Sequence, residues 1–337
     1  MTISGSNFTS SGLMIFDSFE GAASGNIAGQ EPEIHQGAQS AYSAWTQSRV
    51  GGTGNIVRDG TSPKARSTYH ARVNMNQSAM TVCQLYNDGI AFGTGDELYI
   101  SFYYRSTKTS ANYPRQSKAW IAYPDVGDDV AYFSTAYDNC ESGGWRTHIT
   151  QNPPDDQFGL SGPAINGEWV RFENWLKQSA PSTANGQWET CVYRPTLGTP
   201  AKITTDRGST VMRTASDDWT WWGFLGSYYS MCGSGDTATL DMDEFFLGGS
   251  RARVEIINTS TWAARTLAEL QVPTAWSASE ITIGANNLGH LGDSGTAYVV
   301  VIDSSGNVST PYAITLGGGG GGLGIPKAAH HYGMMSQ

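Results

Sequence analysis

The chain is a succession of short segments that alternate residue character with a period of two. Leu98, Ile100 and Phe102 alternate with Tyr99, Ser101, Tyr103 and Arg105. Only an extended strand puts such a set on two clean faces, because successive side chains of a strand point to opposite sides. Lys118 to Tyr123, Trp145 to Thr150, Glu168 to Lys177, Gln187 to Arg194 and Thr239 to Leu247 repeat the pattern. Turn formers close the segments: Gly93-Thr94-Gly95-Asp96, Ser142-Gly143-Gly144, Asn166-Gly167, Asn185-Gly186 and Gly233-Ser234-Gly235-Asp236. Many short strands punctuated this way predict a β-sandwich or jelly roll. Thr259 to Leu270 has room for one short helix at most.

Composition narrows the function classes. The formal charge is −10 and only 15% of residues are charged, against about 25% in ordinary soluble domains. An acidic balance excludes a phosphate-backbone binder, which needs a concentrated positive field, so no nucleic-acid partner is expected. No run approaches the roughly 18 apolar residues of a membrane span. Residues 1–16 have neither a basic stretch nor a continuous apolar one, so they are not read as a secretory signal peptide. A virion or extracellular setting is expected. Cys83, Cys140, Cys191 and Cys232 form no CxxC pair; buried thiols are favoured over one or two bridges.

The pattern changes after Leu247-Gly248-Gly249-Ser250. Ala252 to Ile257, Ser279 to Ile283 and Thr296 to Ile302 are strand candidates with the rhythm of a small immunoglobulin-like sandwich. The organisation expected is an N-terminal arm over residues 1–11, a jelly roll over 12–250, an immunoglobulin-like unit over 251–316, and a glycine hinge with a tail over 317–337. Gly317 to Gly322 is six glycines in a row, and Leu323, Ile325, Tyr332, Met334 and Met335 make the tail apolar for a free end. Residues 323–337 are therefore expected to dock on identical or other subunits of a virion, the alternative being that the tail folds back on the immunoglobulin-like unit of the same chain.

Three groups of residues carry a resemblance. They are Leu98 to Tyr104 with Lys118-Ala119-Trp120, Gly167-Glu168-Trp169-Val170-Arg171-Phe172-Glu173, and Asn185-Gly186-Gln187-Trp188. They resemble the concanavalin A-like jelly-roll superfamily, in which polysaccharide lyases and lectin-like domains carry a G-x-W-x-R-x-E strand and a D-G-x-x-x-x-W hairpin. Here Asn185 replaces the Asp and the Trp comes early. Phe16 to Gly21 and Leu240 to Leu247 resemble the first and last strands of carbohydrate-binding jelly rolls. The resemblance spans residues 12–250 and implies an all-β, concanavalin A-like sandwich followed by the small immunoglobulin-like one. The His-His-Tyr end resembles some tailed-phage virion proteins.

Adjacent first and last strands bring Asp17, Glu20, Asp241, Asp243 and Glu244 together, and the matching acids of carbohydrate-binding jelly rolls hold a structural Ca²⁺. Glu20 and Asp243, with Asp17 and Asp241, are the candidate ligands, since Ca²⁺ takes six to eight oxygens; solvated surface acids are the alternative. Alternation puts Tyr103 with Arg105, Lys118 with Trp120, Arg146 with His148, and Trp169, Arg171, Glu173 and Trp175 on common sides. If all line one concave sheet, Tyr103, Arg105, Trp120, Arg171, Glu173 and Trp175 make a glycan groove, aromatic rings stacking on sugars and cations binding carboxylates. A buried Arg171–Glu173 pair with core tryptophans is the competing reading. Lyase chemistry on that face needs a base and a cation, which Tyr103, Lys118, Arg146, His148 and Arg171 supply by type. In Trp219 to Phe224, Trp219 and Trp221 are expected on one side and Trp222 and Phe224 on the other.

With no compact catalytic signature, the leading expectation is a non-enzymatic virion or surface structural protein with glycan-holding capacity. The alternative is a secreted polysaccharide lyase or carbohydrate-binding module.

Overall fold

The computed structural model describes residues 1–5, 8, 13–21, 25–27, 30–35, 45–50, 56–61, 63–64, 67–76, 82–87, 92–108, 117–124, 130–134, 145–150, 156–160, 167–195, 201–214, 216, 218–227, 237–283, 288–292, 294–317 and 331–332. They form four β-sheets arranged as a large sandwich and a small one. In hydrogen-bonded order, the first large sheet runs Asp156–Leu160, Trp145–Thr150, Val130–Ser134, Ser117–Pro124, Trp219–Ser227, Val82–Asn87, Thr46–Val50. The second runs Ala201–Thr210, Gly186–Arg194, Val170–Lys177, Glu97–Lys108, Thr237–Gly248, His70–Asn76, Ile56–Asp59, Gly25–Asn26. Leu13–Asp17 pairs with Thr237–Gly248, and Ile34–His35 pairs with Leu13–Asp17, which makes this sheet ten-stranded. All contacts between neighbours in the two sheets are antiparallel, as the predicted jelly roll requires.

The core between the two sheets is aromatic. Trp120 of the seven-stranded sheet stacks on Trp188 of the ten-stranded one, with ring centroids 5.2 Å apart. Phe224 meets Phe245 at 4.4 Å, and Trp45 packs edge-on against both. Leu98, Ile100, Phe102 and Tyr104 all point into this core, so the alternation of that segment was read correctly. Buried indole N–H groups need acceptors. Trp45 Nε1 donates to Asp17 at 2.6 Å, and Trp188 Nε1 to Thr190 at 3.1 Å.

Simple alternation fails at two places. A register shift between Lys118 and Trp120 puts an extra residue into that strand, so the two do not share a face. A second shift, where Pro124 pairs with Trp219 and Tyr123 with Trp221, turns Trp219 into the core beside Trp222 and Phe224. Such bulges reverse the parity of every position beyond them.

The small sandwich has one sheet of Ala268–Gln271, Arg253–Ile257, Gly295–Ile302 and Tyr312–Leu316, and another of Pro273–Trp276, Glu280–Ile283, Thr2–Gly5 and His331–Tyr332. Thr2–Gly5, within the expected N-terminal arm, is an inner strand: Ile3 pairs with Ile281 and is 1% exposed. The jelly roll is inserted after the first strand of this unit. His331–Tyr332 pairs in parallel with Ser4–Gly5 of the same chain. As far as the described residues of the tail reach, that is the fold-back alternative, and nothing supports docking on another subunit; Leu323, Ile325, Met334 and Met335 lie outside the described residues. Thr259 to Leu270, with room for one short helix at most, holds one 3₁₀ turn at Trp262–Ala264, after which Ala268–Gln271 is a strand.

Candidate functional site

The ten-stranded sheet has its outer face covered by the small sandwich, and five of the expected glycan residues lie there. Tyr103 donates its hydroxyl to Glu269 at 2.7 Å, and the His290 backbone N–H donates to the same carboxylate oxygen at 2.8 Å. Gly289 precedes it at φ +50, where a Cβ would sit 2.1 Å from Glu269 Oε1. Arg171, 1% exposed, pairs with Glu173 at 2.7 Å, reaches Glu255 at 3.5 Å and donates to the Ala268 carbonyl. Arg253 donates to Glu255 at 2.5 Å, and Arg265 to the Tyr193 hydroxyl at 2.8 Å. Burial pushes the Glu255 carboxyl up, but Arg253, Arg171 and Arg265 overcome it and hold it at about 2. Glu173 moves the other way: burial, then the neighbouring Glu255 charge, raise it despite the arginines. Two apolar clusters flank this ionic seam, one around Tyr193, Ile257 and Ile302, the other around Tyr99, Trp175 and Val272. Tyr103, Arg171, Glu173 and Trp175 are therefore seam residues, and a polymer has no access to them as a groove. Arg105, 6% exposed, belongs to the carboxylate cluster described next. Trp120 is wholly inside the jelly roll.

The four carboxylates chosen for Ca²⁺ are held by different partners. Asp241 receives Arg72 Nε at 2.6 Å, Arg105 Nε at 2.8 Å and lies 3.1 Å from His70 Nε2. Burial would raise its carboxyl, yet His70, Arg72 and Arg105 together lower it. Asp17 accepts from Phe19 N–H and Trp45, and burial lifts it to about 6. Glu20 accepts the Thr68 and Tyr69 N–H groups. Asp243 is raised well above the usual range by burial against the Lys64 charge, which itself pairs with Glu244 at 2.9 Å. Among the described residues no group of three or more His, Cys, Asp or Glu is placed to hold a metal. The residues present do not fit a calcium site: cations already neutralise Asp241, and backbone N–H groups occupy Glu20.

The seven-stranded sheet is different. Directly paired residues share a face and successive ones alternate. Trp120, Ala122, Trp222 and Phe224 are fully buried in the core, so the intervening positions belong to the outer face. One register row crosses all seven strands there: Thr46, Tyr86, Gly223, Ile121, Tyr132, His148, Gln157. The next row holds Gly226, Lys118, Ser134, Arg146 and Gly159. Tyr123 and Trp221 pair on the other side of the first row. Neighbouring strands lie about 4.8 Å apart and alternate residues of a strand about 6.8 Å. Tyr132, His148, Arg146 and Lys118 thus occupy one patch spanning three strands.

The five candidate catalytic residues are accordingly divided. Lys118, Arg146 and His148 share the seven-stranded face; Tyr103 and Arg171 lie beyond the core, in the seam. Sequence reasoning missed Tyr132, Tyr86 and Gln157. The alternation of Ala131 and Phe133 about Tyr132 was the available signal. Cys191 is a buried thiol of the seam, whereas the side chains of Cys83, Cys140 and Cys232 lie outside the described residues.

No protein-family model and no curated protein matches the chain. Similar solved structures include an endo-β-1,4-glucuronan lyase from the fungus Trichoderma reesei, 13% identical, covering 59% of this chain and 88% of its own with a TM-score of 0.44. A marine alginate lyase from Aplysia kurodai is 8% identical, covers 57% and 86%, and has a TM-score of 0.43. Lectin II from Ulex europaeus is 12% identical, covers 60% and 92%, and scores 0.35. With lyases among these folds, the expectation of a non-enzymatic virion or surface structural protein is corrected. No helix among the described residues is long and apolar enough to cross a membrane.

Proposed function

We propose that the protein is a lyase of acidic polysaccharides acting on the outer face of its seven-stranded sheet. The observation that carries the reading is the patch of Tyr132 and His148 in one register row with Lys118 and Arg146 in the next. β-Elimination on a uronate requires a base for the proton α to the carboxyl, a cation for the charge that develops on the carboxylate, and an acid for the leaving oxygen. Arg146 and Lys118 neutralise the carboxylate, which lowers the cost of the enolate. His148 takes the C5 proton as the C4–O bond breaks; C4 and C5 become doubly bonded, and Tyr132 returns a proton to the departing oxygen. No pair of carboxylates stands on this face among the described positions, so the two-acid arrangement of a glycoside hydrolase is not matched. Tyr86, Tyr123 and Trp221 extend the face with aromatic positions suited to stacking on sugar rings. A polymer of this class is met outside cells, which is the setting proposed for the protein.

Incubation of the full chain with alginate, polyglucuronate and polygalacturonate tests this, read by the ultraviolet absorbance of the new C4=C5 bond. Rising absorbance on at least one polyuronate, and none on a neutral glucan, is expected. Binding without any rise would leave a carbohydrate-binding module and refute the lyase.

A further inference from the structure

The seam holds a cavity of about 430 Å³ between the ten-stranded sheet and the small sandwich. That lies within the range of about 300–1,000 Å³ typical of small-molecule sites. We propose that this cavity is a second binding site, for a monosaccharide that carries a carboxylate. It stands apart from the polymer-cleaving reading, because it opens on the opposite side of the jelly roll from Tyr132 and His148.

The lining is built for such a ligand. Arg265 lies 3.2 Å over the Trp262 ring and Arg251 lies 3.4 Å over the Trp175 ring. A stacked guanidinium is held flat, and its N–H edge is offered as a planar fork that matches a carboxylate. Arg265 spends Nε on Tyr193 and Nη1 on the Trp262 carbonyl, leaving Nη2 with no partner among the described residues. Arg251 spends Nη2 on Glu189 at 2.6 Å. Trp262 is half-buried on its 3₁₀ turn, and its indole forms one apolar wall. Glu173 and Glu189 also line the cavity. Two carboxylates accept the hydroxyls of a sugar but repel a compact polyanion, which separates a sugar acid from phosphate. The lining sets Arg251, Arg253 and Arg265 against Glu173 and Glu189, so the positive charge in excess matches a single carboxylate.

One glycine shows that the wall is shaped. Gly306 sits at φ +87, and a Cβ there would fall 2.7 Å from both Cδ and Nη1 of Arg251. The turn around it is fixed by Asp303, whose carboxylate accepts the N–H groups of Ser305 at 2.9 Å and Asn307 at 2.8 Å. Only glycine lets this turn close over the Arg251 side chain.

Calorimetric titration of the full chain with D-glucuronate, D-glucose and inorganic phosphate tests the proposal. Glucuronate is expected to bind saturably, and glucose and phosphate at least tenfold more weakly. Trp262→Ala, at a half-buried position, should weaken glucuronate at least tenfold with the melting temperature kept. Gly306→Ala should do the same by displacing Arg251. Equal binding of glucose or phosphate overturns the proposal, as does undiminished glucuronate binding by Trp262→Ala. Loss of binding in Tyr132→Phe would put the ligand on the other face and overturn it equally. A protein without lyase activity that still binds glucuronate in this way supports the cavity and refutes only the cleavage reading.

Discussion

The Tyr103 hydroxyl donates to Glu269 across the boundary between the two sandwiches, at 2.7 Å. A residue whose type and alternation suit a sugar platform is thereby committed to joining the jelly roll to the small unit. Tyr103 sits beneath Lys64, whose ammonium lies 4.5 Å from its ring centre, and both are buried. Tyr103→Phe removes one of the two donors to a buried carboxylate, and such a deletion costs about 1–3 kcal/mol. Denaturant unfolding should show that loss, while polyuronate cleavage by the folded variant should stay at the wild-type level.

The insertion of the jelly roll behind the first strand makes residues 1–5 structural. Ile3 packs with Val254, Ile256 and Val299 in the core of the small sandwich. Ile3→Ala should cost about 2–5 kcal/mol through lost burial and the cavity left behind. A thermal melt within a degree of wild type would show instead that this strand is not part of that core.

Asp241 is a neutralised anion rather than a metal ligand. Removing its charge leaves Arg72 and Arg105 buried without their shared counter-ion, a change of about 3–5 kcal/mol for a buried pair. Asp241→Asn should lower stability by that order. A chelator should leave the melting temperature of the wild type where it is; a chelator-induced drop would contradict the assignment of these carboxylates.

Glu255 gives the seam an acid limit. Its carboxyl is held at about 2, against an ordinary value of 4.5, so the folded state binds its proton more weakly than the unfolded chain does. Stability from this group is complete above about pH 4.5 and is lost as pH falls towards 2. At about 1.4 kcal/mol for each pH unit of difference, the total is about 3 kcal/mol. Unfolding measured from pH 2 to 5 should show this decline in the wild type and a shallower one in Glu255→Gln. Parallel slopes would place the acid sensitivity elsewhere.

Much of the fold was legible in the sequence. Alternation located the strands Glu97–Lys108, Val170–Lys177 and Gly186–Arg194 because each has one face in an apolar core, which fixes its pattern. The site was less legible for two physical reasons. Parity breaks at the bulges beside Trp120 and Trp219, so counting by two misassigned faces there. Which sheet a strand joins is a long-range property: Tyr103 and His148 carry the same local signal, yet one faces the small sandwich and the other belongs to the seven-stranded sheet. The buried arginines and glutamates of the seam, Arg171 with Glu173 and Arg253 with Glu255, are of the residue types a binding site uses. Their pairing across two units is invisible to a local pattern.

The proposed division of the jelly roll into a cleaving face and a covered face is tested most directly by comparing wild type, His148→Ala and Tyr103→Phe on a polyuronate. Initial rates from the unsaturated product, on variants shown to be folded by their melts, are the measurement. His148→Ala should lose at least a hundredfold in rate, the scale of general-base catalysis, at about 10²–10⁴-fold. Tyr103→Phe should keep its rate within about twofold, since its loss falls on stability. Full activity in His148→Ala, or a collapse of rate in a folded Tyr103→Phe, would contradict the assignment of the seven-stranded face as the site of cleavage.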